Sequence, residues 1–393
     1  MIEWRKMWEV TTWDKKFSGV DKSMQPQIIK YHYYLANELN ELERLNGDVR
    51  ILYTTDKIAF ADSTEVEGTI SEGEVVTIPW GGNVSIKYYN GRFVTADNRI
   101  ATSSNKNILS NKFLYYWMLS QKELISSFYR GAGIKHPSML AVLNMQIPIP
   151  NLAEQKRIVD ILDTFTASID NLKEQIELRR KQFEYYRNSL LDLEGKENVD
   201  VVKLGELFTF KNGLNKGKEY FGTGKPIIMF TNVFNSRYIK ASMIKSRVEV
   251  TKQELERIDA RVGDVFFTRT SETKEEVGYA SVLIDEIEDC TFAGFLIRAR
   301  PITQKLMPGY CKYCFSTPKV REDIVSKSSF TTRASLTGGG LGNVTIHIPP
   351  LDKQNRIVGI LDNFEAVISN LEVQLKYRQK QYEYYRNKLL TFD

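Results

Sequence analysis

Residues 147–191 read IPIPNLAEQKRIVDILDTFTASIDNLKEQIELRRKQFEYYRNSLL, and 199 residues later the chain reads IHIPPLDKQNRIVGILDNFEAVISNLEVQLKYRQKQYEYYRNKLL at 346–390. The two segments are identical at 27 of 45 positions, whereas the roughly 150 residues before each of them do not align in any obvious way. An internal repeat of this length sets the architecture of the whole chain. The order here is variable, constant, variable, constant.

Both constant segments have the pattern of a long helix with a heptad seam. Their apolar residues recur in alternating steps of four and three, which is typical of a coiled coil. A charged residue interrupts each seam once, Arg179 in the first copy and Arg378 in the second. These arginines either set the register or, as we favour, reach the edge of the seam with their stems buried. The seam residues are Ile158, Leu162, Phe165, Ile169, Leu172 and Ile176 in the first copy, and Ile357, Leu361, Phe364, Ile368, Leu371 and Leu375 in the second.

A helix of about 40 residues with a single apolar stripe cannot bury that stripe alone. We therefore expect the two constant helices to pack on each other as an antiparallel coiled coil, a rod of roughly 50–60 Å that separates the variable regions. The alternative is that each helix packs only on its own domain. Near-identity over several heptads favours the pairing of the two helices.

The variable regions are predicted to be α+β domains. Each contains short β-prone runs punctuated by Gly and Asn, including a Gly-acid-Val run, followed by a probable helix at 112–129 or 309–327. The predicted division is a domain at 1–150, a helix at 151–192, a domain at 198–348 and a helix at 350–391.

Polar loops in both variable regions carry side chains suited to DNA. Arg reads guanine, Asn reads adenine, and Lys, Ser and Thr mostly hold phosphates. Taken singly, each of these residues is more simply a solvated surface group; as a set on two matched domains they predict a DNA interface. The candidates are Asn83, Lys87, Tyr88, Arg92 and Lys135, with His136 nearby, in the first region, and Asn212, Asn215, Lys216, Lys218, Arg269, Thr270, Ser271, Lys274 and Arg333 in the second.

Composition narrows the class of protein only mildly. The 54 Lys and Arg residues outnumber the 49 Asp and Glu residues by five, which is compatible with a polyanionic partner but does not require one. Three cysteines are too few for a disulfide framework, so a reducing cytoplasm is expected. A signal peptide and a transmembrane segment are not expected from the sequence.

Several catalytic motifs are incomplete in this chain. Cys311 and Cys314 have zinc or redox spacing without a second pair, and we interpret them as part of a buried helix face. The Gly-Lys at 224–225 is followed by Pro226, where a phosphate loop needs Ser or Thr. No methyltransferase, nuclease or helicase motif is recognisable. The sequence thus predicts a non-catalytic protein without a metal site.

The repeated openings NLAEQKRIVDIL and PLDKQNRIVGIL, in the order variable, constant, variable, constant, resemble the specificity subunits of type I restriction-modification systems. The segment FTRTSETKEEVG at 267–278 also resembles a recurrent piece of their recognition domains, whereas its counterpart in the first half, VTIPWGGNVSIKY, lacks the Arg-Thr pair. The resemblance covers the whole chain.

This resemblance implies that two target recognition domains each read one half of a bipartite site in double-stranded DNA, with two spacer helices setting the gap. It also implies partners: two methyltransferase subunits and, where present, restriction subunits. S-adenosylmethionine, ATP and magnesium would be bound by those subunits and not by this chain. Two other functions remain open from the residues alone, a coiled-coil adaptor with two protein-binding heads and a solitary methyltransferase.

Overall fold

The computed structural model describes residues 2–392. The chain forms two compact units. Unit 1 runs to Lys173 and resumes at Val373, and unit 2 is Glu174–Glu372. Both boundaries fall inside the long helices, so each unit combines one variable region with the start of one long helix and the end of the other.

The variable region of unit 1 is an α+β domain. Its strands are β1 (Glu3–Lys6), β2 (Thr11–Trp13), β3 (Glu43–Arg44), β4 (Val49–Leu52), β5 (Ala59–Ala61), β6 (Ser71–Pro79), β7 (Lys87–Thr95), β8 (Asn98–Ser103), β9 (Tyr129–Arg130), β10 (His136–Pro137) and β11 (Gln146–Ile149). Its helices are α1 (Met7–Val10), α2 (Ala36–Glu41), α3 (Asn111–Ser120), α4 (Lys122–Ser127) and α5 (Met139–Leu143), and the first long helix, α6 (Leu152–Leu191), follows.

The variable region of unit 2 is also α+β. Its strands are β12 (Asp200–Lys203), β13 (Phe208–Asn212), β14 (Phe221–Ile228), β15 (Tyr238–Ile239), β16 (Arg247–Val248), β17 (Val265–Thr268), β18 (Thr270–Ser271), β19 (Ala280–Leu283), β20 (Thr291–Phe292), β21 (Leu296–Pro301), β22 (Ser329–Phe330), β23 (Ala334–Ser335) and β24 (Thr345–Ile348). Its helices are α7 (Leu204–Leu207), α8 (Phe230–Phe234), α9 (Lys252–Arg257), α10 (Pro308–Cys314), α11 (Pro318–Ser326) and α12 (Gly338–Gly342), before the second long helix, α13 (Leu351–Leu389).

The single helix predicted in each variable region is in fact a pair. The segment 112–129 forms α3 and α4, which meet at Gln121, and the segment 309–327 forms α10 and α11. Pro318 is the first residue of α11, where its missing N–H has no intrahelical partner to lose. The proline therefore starts a new helix instead of distorting one.

The two variable regions share one sheet topology although their sequences do not align. The main sheet of unit 1 has the order β2-β8-β6-β7-β4, extended by β5 and β3, and that of unit 2 has the order β13-β21-β17-β19-β15. In both, the first three pairings are antiparallel and the fourth is parallel. The Gly-acid-Val run at 73–75 lies within β6, and the run at 263–265 leads into the first residue of β17, the equivalent central strand. The two regions are therefore structural repeats.

A buried glutamine fixes the start of each long helix on its own variable region. Gln155 donates to the carbonyls of Ile108 and Pro150 (2.7 and 2.8 Å) and accepts from the backbone N–H of Ser110 (2.8 Å). Gln354, 199 residues later, makes the same set of three bonds in unit 2 at 2.8 to 2.9 Å. Both side chains are almost fully buried. Because three backbone groups depend on each amide, this repeated glutamine has a structural role that its polarity alone does not indicate.

About two turns beyond the glutamine, a repeated aspartate links each long helix to its variable region a second time. Asp163 accepts a bond from the Tyr116 hydroxyl (2.6 Å) and pairs with the Lys112 ammonium (2.7 Å). Asp362 makes the equivalent contacts with a tyrosine and a lysine of α10, at 2.5 and 2.9 Å. Each long helix is thus joined to the helix pair of its own region by a carboxylate that pairs with a lysine and accepts from a tyrosine hydroxyl.

The long helices also pack on each other, as the heptad seam predicts. In unit 1 Phe165 stacks on Tyr385, with ring centroids 5.4 Å apart, and in unit 2 Tyr186 stacks on Phe364 at 5.2 Å. In both units the start of one helix meets the end of the other. The pairing is therefore antiparallel, and the predicted antiparallel coiled coil is confirmed.

The seam serves two purposes along its length. Its first two positions lie in the cores of the variable regions, where Ile158 and Leu162 in unit 1, and Ile357 and Leu361 in unit 2, are at most 3% exposed. Among the later seam residues Ile169 and Ile176 are still buried, whereas the others, such as Phe364, are half-buried. The sequence left open whether each long helix packs on its own domain or on the other helix. The structure shows both kinds of packing.

The two seam arginines differ. The Arg378 guanidinium lies 5.8 Å from the ring centroid of Phe165, a seam residue of the other helix, so its charge stays against the seam. Arg179 is exposed and donates to the Gln182 side chain (2.8 Å). The exposed Arg179 fits a side chain whose charge reaches the edge of the seam, whereas Arg378 keeps its charge at a seam ring.

Candidate nucleic-acid interface

Both units form an open cleft at the same place in their shared topology. One wall is the loop after the equivalent strands β6 and β17. The other is a small hairpin, β9–β10 in unit 1 and β22–β23 in unit 2, which in each case follows the helix pair and precedes a short helix. Hydrogen bonds hold hairpin and loop together: Gly82 donates to the Lys135 carbonyl (3.0 Å) in unit 1, and Thr270 pairs with Ser335 in unit 2.

The cleft of unit 1, called the first cleft, has a volume of about 580 Å³. Trp80 is its central aromatic residue, with the His136 ring 5.1 Å away and the His136 Nδ1–H donating to the Trp80 carbonyl (2.8 Å). Thr, Ser, Asn and Asp residues line the rest of the cleft together with Val84, Ile134 and two glycines. The lining residues are Thr54, Thr55, Asp56, Trp80, Gly81, Gly82, Asn83, Val84, Ser85, Asp97, Ile134 and His136.

Two glycines allow the loop of the first cleft to pass close to the hairpin. A Cβ on Gly81 would lie 2.8 Å from Cγ2 of Ile134, closer than carbon atoms pack. Gly82 has φ +94°, a conformation that side chains disfavour. The Gly-Gly pair therefore sets the shape of this wall.

A buried polar cluster supports Trp80 from behind. The Arg99 guanidinium lies 4.3 Å from the Trp80 ring centroid and 3.5 Å from the Asp14 carboxylate, and both charged side chains are at most 3% exposed. The Tyr33 hydroxyl donates to Asp14 at 2.5 Å. Burial raises the pKa of Asp14 above its usual value, against the opposing effects of Tyr33 and Arg99. The indole is thus held on a rigid, low-dielectric base.

The cleft of unit 2, called the second cleft, has a volume of about 420 Å³ and a different chemistry. Phe295 is 59% exposed and faces a wall in which Phe230 and Phe234 stack at 5.4 Å. Across its mouth Arg333 pairs with Glu272 at 3.4 Å. The lining residues are Phe230, Phe234, Thr270, Ser271, Glu272, Thr273, Glu276, Phe295 and Arg333.

The predicted residues of the first variable region fall into two groups. Asn83 lines the first cleft, and Lys135 and His136 lie in the hairpin beside it. Lys87, Tyr88 and Arg92 lie on β7 and are already engaged within unit 1. Their partners are the Tyr53 carbonyl (2.8 Å), the Glu74 carboxylate (2.8 Å) and the Asp48 carboxylate (2.9 Å), respectively.

Lys87 is the most constrained of these candidates. Burial lowers its pKa to about 8, and the nearby Asp56 only partly offsets this. Its ammonium therefore stabilises the fold less than a surface lysine would, and a phosphate would have to displace its contact with Tyr53. Its role in DNA binding stays a prediction.

The candidates of the second variable region also divide. Thr270, Ser271 and Arg333 line the second cleft, while Arg269 lies directly behind it and Lys274 is exposed on the same loop.

The other four candidates, Asn212, Asn215, Lys216 and Lys218, do not line this cleft. Lys216 pairs with Glu254 at 2.8 Å and donates to the Glu249 carbonyl at the same distance, so it ties a loop to α9. The role of all four in DNA binding remains a prediction.

The cleft residues that were not among the sequence candidates include Trp80, Glu272 and Phe295. The first two stand in segments that the sequence had singled out, beside Asn83 and Ser271. Tyr88 was the aromatic residue proposed in that segment instead of Trp80, and no acidic residue was among the candidates. Phe295 carries no local signal, because only the fold brings the segment before β21 to the loop after β17.

The cysteine pair with zinc or redox spacing lies inside the fold of unit 2. Cys311 and Cys314 are buried in α10, and burial raises the pKa of both thiols. Among residues 2–392, His, Cys, Asp and Glu side chains do not cluster in threes as a metal site would require. Over the same residues no helix is long and apolar enough to cross a membrane.

Comparison with known proteins gives a consistent result. The model of the type I restriction modification DNA specificity domain matches residues 27–179 and again residues 196–378. A Haemophilus influenzae protein named as a type I restriction enzyme specificity subunit is 28% identical over 344 residues, which cover 83% of this chain and 85% of that protein. The EcoKI specificity subunit of Escherichia coli is 27% identical over 270 residues, covering 64% of this chain and 57% of that subunit.

Solved structures share the fold. The S subunit of a type I restriction-modification system from M. genitalium superimposes with a TM-score of 0.60 at 17% identity, covering 100% of this chain and 97% of that one. A chain from a structure on complex assembly and conformational transition of the type I R-M system gives 0.58 at 16% identity, with 100% and 98% covered.

Proposed function

The chain belongs to the type I restriction-modification DNA specificity family, and we propose that it reads a bipartite site in double-stranded DNA, one half-site per variable region. On this proposal the first and second clefts face the two half-sites. The variable regions are then the target recognition domains, and α6 and α13 are the spacer.

The observation that carries the proposal is the matched pair of clefts. Two regions without sequence alignment keep one sheet order, one loop-and-hairpin cleft and one mode of attachment to a repeated helix, yet the residues in the clefts differ. Constant scaffolds with variable loops are the usual arrangement of recognition proteins. Two different readers on one scaffold fit an asymmetric two-part site better than they fit a single ligand.

We propose that the paired helices set the gap between the half-sites. Two rigidly linked readers also gain affinity, because binding of the first raises the effective concentration of the second. Removing one heptad from each helix, residues 173–179 and 372–378, shortens each by roughly 10 Å. At about 3.4 Å per base pair this equals about three base pairs.

The chemistry would then belong to partner subunits. We propose that two methyltransferase subunits, which bind S-adenosylmethionine, and restriction subunits, which use ATP and magnesium, assemble on this chain in the cytoplasm. The support is the naming of its relatives as specificity subunits of restriction enzymes. The three free, buried thiols also fit a reducing compartment.

A salt titration of duplex binding by the assembled complex tests the proposal against a protein-binding adaptor. Phosphate contacts release counterions, so the affinity should fall by orders of magnitude between about 50 and 200 mM salt. An adaptor would show no duplex binding that depends on sequence. The double heptad deletion then tests the spacer: we expect both half-sites to be kept and the gap to shrink, and an unchanged gap would refute the spacer role.

A further inference from the structure

The second cleft combines a single cation with an apolar wall. Among the described residues that line it, Arg333 is the only cation, and three of the lining residues are phenylalanines. A surface that holds only phosphate does not need exposed aromatic rings, because charge and hydrogen bonds make phosphate contacts. This composition points to the edge of a base pair.

The Arg333 guanidinium is available to a ligand. Its partner in unit 2 is Glu272 at 3.4 Å, and the two side chains are 63% and 84% exposed. Such solvated pairs contribute little to stability, so the Arg333 guanidinium can leave Glu272 for an acceptor on a ligand at little cost. In the absence of a ligand the Glu272 carboxylate keeps the guanidinium at the mouth of the cleft.

Phe295, in contrast, is held firmly. Its carbonyl accepts from the Arg269 backbone N–H (2.8 Å), and the Arg269 guanidinium donates to the neighbouring Gly294 carbonyl (3.4 Å). The Arg269 carbonyl in turn accepts from Leu336, just after β23 (2.9 Å). The phenyl ring of Phe295 is therefore exposed to solvent while its backbone is fixed from two sides. Such a ring can make an apolar contact with a ligand.

From this geometry we infer that the second cleft reads a G·C pair through Arg333 and an adjacent A·T pair through Phe295. The guanidinium donates bidentately to guanine O6 and N7, and the phenyl ring packs on the C5-methyl group of thymine. The inference rests on the proposed function and deepens it, because it assigns base identities to one half-site.

The first cleft serves as an internal comparison. Its lining residues include Asn83, Asp56 and Asp97, and no Arg or Lys is among those described. The guanine-reading pairing available to Arg333 is therefore not available there. Substitutions in the first cleft should alter the other half-site.

The test is mapping of methylated adenines, at single-base resolution, in cells that express the full chain with its methyltransferase subunits. The variants are Arg333→Ala, Phe295→Ala and, as a charge-matched control outside the cleft, Lys305→Ala, whose side chain pairs with Asp200. Binding of each complex to duplexes with one randomised half-site gives the base preference at every position.

We expect Arg333→Ala to reduce the preference for guanine at one position of one half-site by roughly 10- to 100-fold. Phe295→Ala should relax the neighbouring thymine several-fold, and both variants should keep the other half-site and the gap. A uniform loss of affinity for all sequences, with the salt slope reduced by about one, would assign Arg333 to phosphate and overturn the inference. So would relaxation at a base other than guanine, or an unchanged motif.

The wild-type complex separates this inference from the proposed function. Methylation by the wild type without a sequence motif would refute the proposed function itself. A wild type with a bipartite motif that Arg333→Ala leaves intact would refute only the assignment of the second cleft.

Discussion

Replacing Gln354 by Met tests the physical reason for the repeated helix opening. The side chain is 1% exposed, and its amide satisfies the Lys305 and Pro349 carbonyls and the Met307 N–H at 2.8 to 2.9 Å. Methionine has a similar volume and supplies none of these bonds. A buried backbone group left without a partner costs about 1–3 kcal/mol; the bond to Pro349 is buried and the other two are part-buried, so we expect a loss of about 3 kcal/mol in the local stability of unit 2.

Hydrogen–deuterium exchange is the appropriate assay because it reports each unit separately, whereas a chain with two units need not unfold in one transition. A loss of about 3 kcal/mol corresponds to roughly 100-fold faster exchange, at 1.4 kcal/mol per tenfold. The increase should appear at the start of α13 and the segment before α10. Gln155→Met should have the same effect at the start of α6 in unit 1.

Gln379→Met provides the control, since Gln379 is an exposed glutamine on the same helix as Gln354. It should change exchange by less than threefold, because surface substitutions usually alter stability by at most about 0.5 kcal/mol. Equal exchange in Gln354→Met and Gln379→Met would refute the role assigned to the buried amide. Acceleration spread evenly over both units would contradict its local character.

Two further predictions concern ionisable groups. Burial lowers the pKa of Lys87 to about 8, so between about pH 8 and 10 the unfolded chain binds more protons than the folded chain, and the stability of the fold rises with pH. Lys87→Met should remove roughly 1–2 kcal/mol of that rise in denaturant unfolding across this range, and parallel pH profiles of the variant and the wild type would contradict the prediction. Asp163→Asn should destabilise its unit by about 1–2 kcal/mol, because Lys112 loses its carboxylate partner. Asp362→Asn should destabilise unit 2 by less, because Lys312, which pairs with Asp362, keeps an ion pair with Glu365 at 2.6 Å. Local hydrogen exchange that is accelerated more by Asp362→Asn than by Asp163→Asn would disprove this reasoning.

The long helices were predictable from the sequence because heptad periodicity is a local property of the chain. The steps of four and three from Ile158 to Ile176 specify a helix and the face it buries. They do not reveal that Ile158 and Leu162 pack into a variable region while Phe165 meets the other helix. That division depends on where the domain surface ends, which periodicity does not encode.

The sheet topology and the clefts were less predictable. The two sheets have the same order, but their sequences share little beyond Gly-acid-Val, because strand pairing depends on contacts distant in sequence. Arg333 and Asn83 could be proposed from residue type alone. The position of Phe295 beside Arg333 could not, since it needs the pairing of β17 with β21 and of β18 with β23.

The burial of polar side chains was also hidden from the sequence. Lys87 stands in a polar run that reads as a solvated loop, yet it lies at the start of β7 and donates to a backbone carbonyl. Gln155 and Gln354 are polar by residue type and are likewise buried. In each case the buried side chain makes a hydrogen bond to a backbone group that is distant in sequence, so the sequence pattern does not reveal it.

The most direct test of the central claim is the pattern of adenine methylation in cells that contain the methyltransferase subunits with and without this chain. The account predicts that the chain confers one bipartite motif with two defined half-sites and a fixed gap, and that this motif disappears in its absence. Methylation at the same sites with or without the chain, or a motif in a single uninterrupted block, would contradict it.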